Sequence, residues 1–519
     1  MPDAKPWNVL IYMSADNNLS EDAVFALTEI NRLRFKDRVN VVAQFDSKVS
    51  GLAPKRYFFS KRPQSTGEII AQVADINPRR SRKLFNKLSR LEDTSFPPIT
   101  PKPRPNNIEP KKPEPELEKS EPEPENYENF ADPKVLKQFI KTSSMDGEAR
   151  NFLILSGHGN GAVGDFLTDE NPPSSLKMSS LKDVLNELGF NSNKKLDILG
   201  LDSCLMSMAE TCYELKGNVR YIVGSEGFVL EGGWPYYFIL KTLNQAPDIK
   251  TKELACSIVK NYKKFYSEYT LAGVSTDHSV SDLREKKIDK LKNGVQALVT
   301  ALLRGLDDAL ILDAIIVAHW RAQSYKFEQH TDLWDFCDCL AKACSRLQTS
   351  KAELEVEGSA LGELIKACAN VTDAIGGKIE EGVIVEEGIV IKSCYTGPAV
   401  QHSHGLSIYF PWNLDTYEPK YECVRFSRAT KWNDFLLKYL VKTRREVRND
   451  RELPDEMKQG PIENSFFPLI GGFTSANTKN GDANKNGDAN KNGDANKALQ
   501  NGISSMKNFP ATFFDCGDD

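Results

Sequence analysis

Asn8-Val-Leu-Ile-Tyr-Met13, the helically spaced run from Glu21 to Arg34, and Val39-Asn-Val-Val-Ala-Gln-Phe45 follow one another near the start of the chain. This β-α-β order predicts parallel strands with helices laid across their faces, because a parallel pair needs a crossover long enough to hold a helix. The alternation resumes with the apolar runs Phe152 to Leu155, Leu196 to Leu201 and Tyr221 to Val223, each followed by a loop or a helical segment. The expected fold class is therefore α/β, an α/β/α sandwich around one mainly parallel sheet.

Between the two groups of strands, residues from about 94 to 132 break the rhythm with repeats such as Pro113-Glu-Pro-Glu116 and Glu121-Pro-Glu-Pro124. That composition predicts an extended, solvated insertion within a catalytic domain spanning 1–281. Helical patterns from about Asp282 to Leu303 and from Thr331 to Leu347, with an apolar strand near Gly405 to Pro411, predict a helix-rich C-terminal subdomain over 282–445 that returns to the catalytic body. The segment 446–519 carries three consecutive copies of Lys-Asn-Gly-Asp-Ala-Asn from Lys479 and reads as a mobile tail, since these copies hold no apolar residue larger than alanine. A frame starting at Asp482 resembles the first half of a calcium-binding loop, but Gly493 stands where the bidentate glutamate belongs.

With 40% hydrophobic and 27% charged residues and a net charge of -5 over 519 residues, the composition is that of a globular protein with a large core. There is no Gly-x-x-x-x-Gly-Lys phosphate loop and no basic patch interleaved with aromatics, so nucleotide and nucleic-acid roles are not supported. No run reaches the roughly 20 apolar residues of a membrane span. Val9 to Met13 is too short for a signal peptide, and ten cysteines lie without regular spacing. A reduced, cytoplasmic setting is expected, with secretion left open.

Two segments place a reactive side chain directly after an apolar strand: Leu153-Ile-Leu-Ser-Gly-His158-Gly159 and Leu196-Asp-Ile-Leu-Gly-Leu-Asp202-Ser-Cys204. Strand C-terminal ends of an open parallel sheet face one crevice, so the two side chains are expected to meet there. A thiol with an ordinary pKa of about 8.5 needs a base to become a nucleophile at neutral pH, and an imidazole supplies it and can return the proton to the departing amine. Glycines flanking His158 allow close approach of a substrate, and the Gly159 amide could join that of Cys204 around an oxyanion. His158 precedes Cys204 by 46 residues. That interval resembles the caspase arrangement, in which the histidine precedes by roughly 50.

Cys337, Cys339 and Cys344 with His330 lack a paired zinc knuckle, and Phe336, Cys337, Leu340 and Cys344 fall on one helical face, so a buried stripe is expected. His402 and His404 read as exposed residues at a strand edge, and Asp16, Asn17 and Asn18 as helix capping. No metal-ligand set is assigned.

Taken together, the segments Trp7-Asn-Val-Leu-Ile-Tyr-Met-Ser-Ala-Asp16-Asn17-Asn18-Leu19, Ser-Gly-His158-Gly, Asp202-Ser-Cys204-Leu-Met-Ser-Met, Gly224-Ser225-Glu226-Gly227, Gly232-Gly233-Trp234-Pro235-Tyr236 and Gly405-Leu-Ser-Ile-Tyr-Phe-Pro411 resemble the clostripain family of caspase-like cysteine peptidases. The resemblance implies an endopeptidase cutting protein or peptide substrates after Arg or Lys, with His158 and Cys204 as its dyad. It matches Asp202 to the family's acidic residue two positions before the nucleophile, and an extended backbone there would put its carboxylate near the thiol, able to pair with a basic P1 side chain. A loop cap is the competing role for Asp202, and Glu226 and Glu231 compete for the substrate cation. Ser225 and Glu226 are expected to help shape the substrate groove. The resemblance also implies maturation by cleavage between histidine and cysteine, for which Lys177 is the one basic residue of the loop Asp165 to Ser180, and it leaves calcium open as a cofactor. A transpeptidase or ligase on the same dyad, and a catalytically silent peptide-binding scaffold, are the alternatives.

Overall fold

The computed structural model describes residues 6–46, 55–59, 129–144, 149–170, 173–230, 232–325, 329–350, 359–380 and 383–448. Its centre is an eight-stranded sheet of β1 (Trp7–Met13), β2 (Val39–Phe45), β3 (Lys55–Phe58), β4 (Arg150–Ser156), β5 (Leu196–Asp202), β6 (Val219–Gly224), β7 (Thr276–Asp282) and β8 (Val390–Thr396), in the spatial order β8-β7-β6-β5-β4-β1-β2-β3. The five neighbours β6-β5-β4-β1-β2 run parallel. β3 lies antiparallel to β2, and β7 antiparallel to both β6 and β8.

Period-two alternation divides the central strands between two apolar layers. Trp7, Val9, Ile11 and Met13 of β1 pack with Phe152 and Ile154 of β4 against the helices Ser20–Asn31, Tyr236–Gln245 and Thr251–Ser267. Leu10 and Tyr12 join Leu153, Leu155, Leu199 and Leu201 on the opposite face, under the helices Pro133–Ser143, Met178–Glu187 and Glu285–Gly305. Covering both faces is what makes these strands read as near-continuous apolar runs, and it gives the expected α/β/α sandwich.

The apolar cluster on that second face runs without a break from Leu10 to Leu440, taking in the helices Ala309–Arg321, Leu333–Ser350, Ala360–Gly376 and Trp432–Arg448. Residues beyond 282 also supply β8 to the main sheet. They further form a three-stranded sheet from Ser324–Tyr325, His330–Asp332 and Ser407–Tyr409, so Thr331, expected to be helical, lies in a strand and the helix begins at Leu333.

β7 has no apolar signature, yet every residue of Thr276-Asp-His-Ser-Val-Ser-Asp282 is buried. Part of this polarity is met from inside: Ser279 Oγ donates to Gly405 O at 2.7 Å and the His278 ring stacks on Tyr262 with centroids 4.1 Å apart, while His278 Nε2 makes no hydrogen bond among the described residues. Most of the proline-rich insertion and all of the repeat tail lie outside the described residues. At the end of the insertion the expectation of a solvated chain is corrected: Phe130 is buried and stacks on Tyr12 at 4.6 Å, and Asp132 caps the helix Pro133–Ser143. Among the described residues no helix is long and apolar enough to cross a membrane.

Candidate active site

β4 and β5 are level with one another, Leu155 opposite Leu201 and Ser156 opposite Asp202. Each chain then leaves the sheet and reaches its reactive residue two positions on, His158 from β4 and Cys204 from β5. Both residues therefore stand at the C-terminal ends of neighbouring parallel strands, the position open α/β sheets use for chemistry. The loops touch at Gly159, where an added Cβ would fall 2.4 Å from Cys204 O and 2.9 Å from Ser203 Cβ. Only glycine lets the histidine loop lie against the main chain of Cys204. Two non-glycine residues with left-handed backbone frame this contact: Leu205, φ 63°, directly after Cys204, and Leu167, φ 49°, whose N–H donates to His158 O at 2.9 Å.

The Cys204 Sγ accepts the Val229 N–H at 3.3 Å and lies 3.5 Å from Val229 O, to which its S–H donates. Burial pushes the thiol up to about 11, against the help of the Val229 amide, and the carboxylates of Asp202 and Asp277 add to the rise. His158 is held the other way: burial lowers its pKa, and the attraction of Glu170 offsets only part of that. At neutral pH the pair thus rests as thiol and neutral imidazole. The His158 Nε2 stands 2.6 Å from Asn18 Oδ1, and among the described residues no hydrogen bond joins the ring to the Cys204 sulfur.

Asp202 is buried at the end of β5. Its Oδ2 accepts from Tyr236 OH at 2.7 Å and from Ser156 Oγ at 3.1 Å, while Oδ1 makes no hydrogen bond among the described residues. Burial raises its pKa to about 6 in spite of those two donors and of the Trp234 main-chain amide. Gly233, φ 60°, passes so close that a side chain there would meet Asp202 Oδ2 at 3.1 Å.

Ser225 and Glu226 are wholly buried. Asp277 collects the Ser225 hydroxyl at 3.0 Å and the amides of Glu226 and Gly227 at 2.8 and 2.9 Å, and Glu226 Oε2 accepts Gly405 N at 2.6 Å. The carbonyls of Ser225 and Gly227 accept the amides of Ser207 and Leu205. The expectation that these side chains meet substrate is corrected: they are spent inside, fixing the floor under Cys204. Burial, with Asp332 and Asp277 close by, holds the Glu226 carboxyl well above the usual range. Glu231 lies outside the described residues.

Lys177 is exposed and stands at the position just before the helix Met178–Glu187, with no side-chain capping hydrogen bond. Phe336, Cys337, Leu340 and Cys344 are buried as the apolar stripe expected of them. His404 departs from expectation, being half-buried, stacked on Trp334 at 4.0 Å, with Nδ1 3.5 Å from the buried Asp332. Asp16, Asp46 and Asp169 are buried with carboxylate oxygens within 4.8 Å of one another, a set of hard oxygen donors that could hold a divalent cation. Asn18, Val229, Tyr236 and Asp277 escaped the sequence reading as site residues. Asn18 lay inside a quoted motif but was read as a cap.

The profile of the clostripain family matches residues 11–440, nearly the whole described chain. The chain belongs to the clostripain family. It is a cysteine-type peptidase, and its substrates are proteins or peptides. Among solved structures, a secreted C11 cysteine protease from Bacteroides thetaiotaomicron in complex with an irreversible peptide inhibitor is 15% identical, with 82% of this chain and 99% of that one covered at a TM-score of 0.50. An inactive zymogen C11 protease from Parabacteroides distasonis is 17% identical, with 83% and 99% covered and a TM-score of 0.46. At 15% identity the first of these likenesses speaks for the fold alone. No curated protein matches the chain.

Proposed function

We propose that this clostripain-family peptidase is an endopeptidase that cuts after Arg or Lys, with Cys204 as nucleophile and His158 as general base and acid. The observation that carries the reading is the contact of the two loops at Gly159, which follows from the level register of β4 and β5. Because both groups rest neutral, the imidazole takes the thiol proton as the sulfur leaves Val229 and attacks the scissile carbonyl carbon. The amides of Cys204 and Gly159 would receive the oxyanion, and the imidazolium returns its proton to the departing amine. Water activated by His158 then hydrolyses the thioester. Asp202 supports the basic preference, since among the described residues its Oδ1 makes no hydrogen bond and an arriving guanidinium or ammonium would supply a charged one, beside the Trp234 main-chain amide that already favours the carboxylate. Exposure of Lys177 supports self-cleavage after that residue.

The test is turnover of fluorogenic peptides carrying Arg, Lys or Leu at P1 by the full chain and by Cys204→Ala, His158→Ala and Asp202→Asn. Cleavage after Arg and Lys that vanishes in the first two variants and loses its basic preference in the third is expected. Equal turnover of the Leu peptide by the wild type would remove the specificity, and activity in Cys204→Ala would remove the nucleophile.

A further inference from the structure

Asn18 sits on the loop that leaves β1, the strand beside β4, and its side chain is exposed except where Oδ1 meets the His158 ring. The loop is tied down around it. Ser14 N donates to Ser156 O at 3.0 Å, at the root of the histidine loop, and Ser14 Oγ donates to Thr168 O at 3.1 Å. Asn17 Nδ2 reaches the same Thr168 carbonyl at 3.0 Å, and its Oδ1 accepts Leu19 N at 2.9 Å. Thr168 follows Leu167, whose amide holds the His158 carbonyl. The carboxamide is thus presented by a braced loop that shares two anchors with the histidine it touches.

We propose that Asn18 is the positioning residue of the site, its Oδ1 fixing the tautomer and the plane of the His158 ring. The proposal rests on the dyad reading above. An amide oxygen can only accept, so Nε2 must carry the proton, and a neutral ring then keeps its one lone pair on Nδ1. That is the atom left to take a proton from the Cys204 thiol. A carboxylate in the same place would hold the ring as imidazolium and blunt it as a base; the neutral carboxamide orients the ring without that effect.

The full-length protein labelled with 15N-histidine tests this, with His158 assigned by the signals missing from His158→Ala. Long-range proton–nitrogen spectra are read at neutral pH for wild type and Asn18→Ala, and kcat and KM are measured across pH for both and for Asn18→Asp. The wild type is expected to show the Nε2–H tautomer. In Asn18→Ala that tautomer should give way to a mixture, with kcat lowered about 10²-fold and KM within about twofold. Asn18→Asp should move the acid limb of the kcat profile to higher pH, because the carboxylate holds the imidazolium. A wild-type ring protonated on Nδ1, or a tautomer and kcat indifferent to Asn18→Ala, would overturn the proposal. A tautomer that depends on Asn18 while turnover ignores His158→Ala would instead leave the positioning standing and sink the dyad.

Discussion

The Ser156 hydroxyl donates to the Asp202 carboxylate at 3.1 Å, between the last residues of two neighbouring parallel strands. One bond therefore ties the root of the histidine loop to the root of the cysteine loop, and Tyr236 OH locks the same oxygen from the helical layer at 2.7 Å. The levels of His158 and Cys204 follow from it.

Asp202 titrates near 6 in the fold, raised by burial, against about 3.9 in an unfolded chain. The folded state thus holds this proton longer, so the stability tied to it is complete below about pH 4 and is lost as pH rises through about 6. The loss amounts to about 3 kcal/mol. Melting curves of wild type and Asp202→Asn should diverge in favour of the variant between pH 4 and 7, and the wild-type KM for an Arg peptide should fall as the carboxylate forms. Parallel melting profiles would contradict the buried titration.

Gly159→Ala places a methyl group 2.4 Å from Cys204 O. The loops must separate, and a displacement near 1 Å costs on the order of 10²-fold in rate. Overpacking of this kind also destabilises by about 1–3 kcal/mol. Activity and melting temperature of the variant check both, and a normal kcat would show that the close approach is dispensable.

The Cys204 thiol, pushed up to about 11, should react slowly with iodoacetamide at pH 7. Thiolate is the reacting form, so the rate is expected to lie about two orders of magnitude below that of a free cysteine and to climb about tenfold per pH unit toward pH 10. A fast reaction titrating near neutrality would mean a preformed thiolate–imidazolium pair.

Asp277→Asn replaces one of two oxygens that receive three donors with an NH2 group, which then faces either the Glu226 amide or the Gly227 amide and the Ser225 hydroxyl. A loss of about 2 kcal/mol is expected in denaturant unfolding, together with a lower kcat, since the floor under Cys204 loosens. An unchanged midpoint would show that the Ser225–Gly227 turn stands without this acid.

The strands β1, β2 and β4 were legible because both of their faces are apolar, and His158 and Cys204 because each follows such a strand beside a glycine. β7 was not legible, since its polar side chains are paid for by partners as distant along the chain as Gly405. Long range hid other parts of the site as well. Asn18 meets His158 across 140 residues and Glu226 meets Gly405 across 179, and no local pattern announces either contact. Ser225 and Glu226 follow the next strand, where the family resemblance implies a substrate groove, and their burial denies that contact.

The loop carrying the sulfur is seated by main chain made much later. Ser407 N donates to Ser207 O at 3.0 Å, Tyr409 N to Glu210 Oε1 at 2.9 Å, and Gly405 N to Glu226. During synthesis the ribosome therefore exposes Cys204 some two hundred residues before the segment that seats it, and a growing chain carries the thiol without a finished cutting edge.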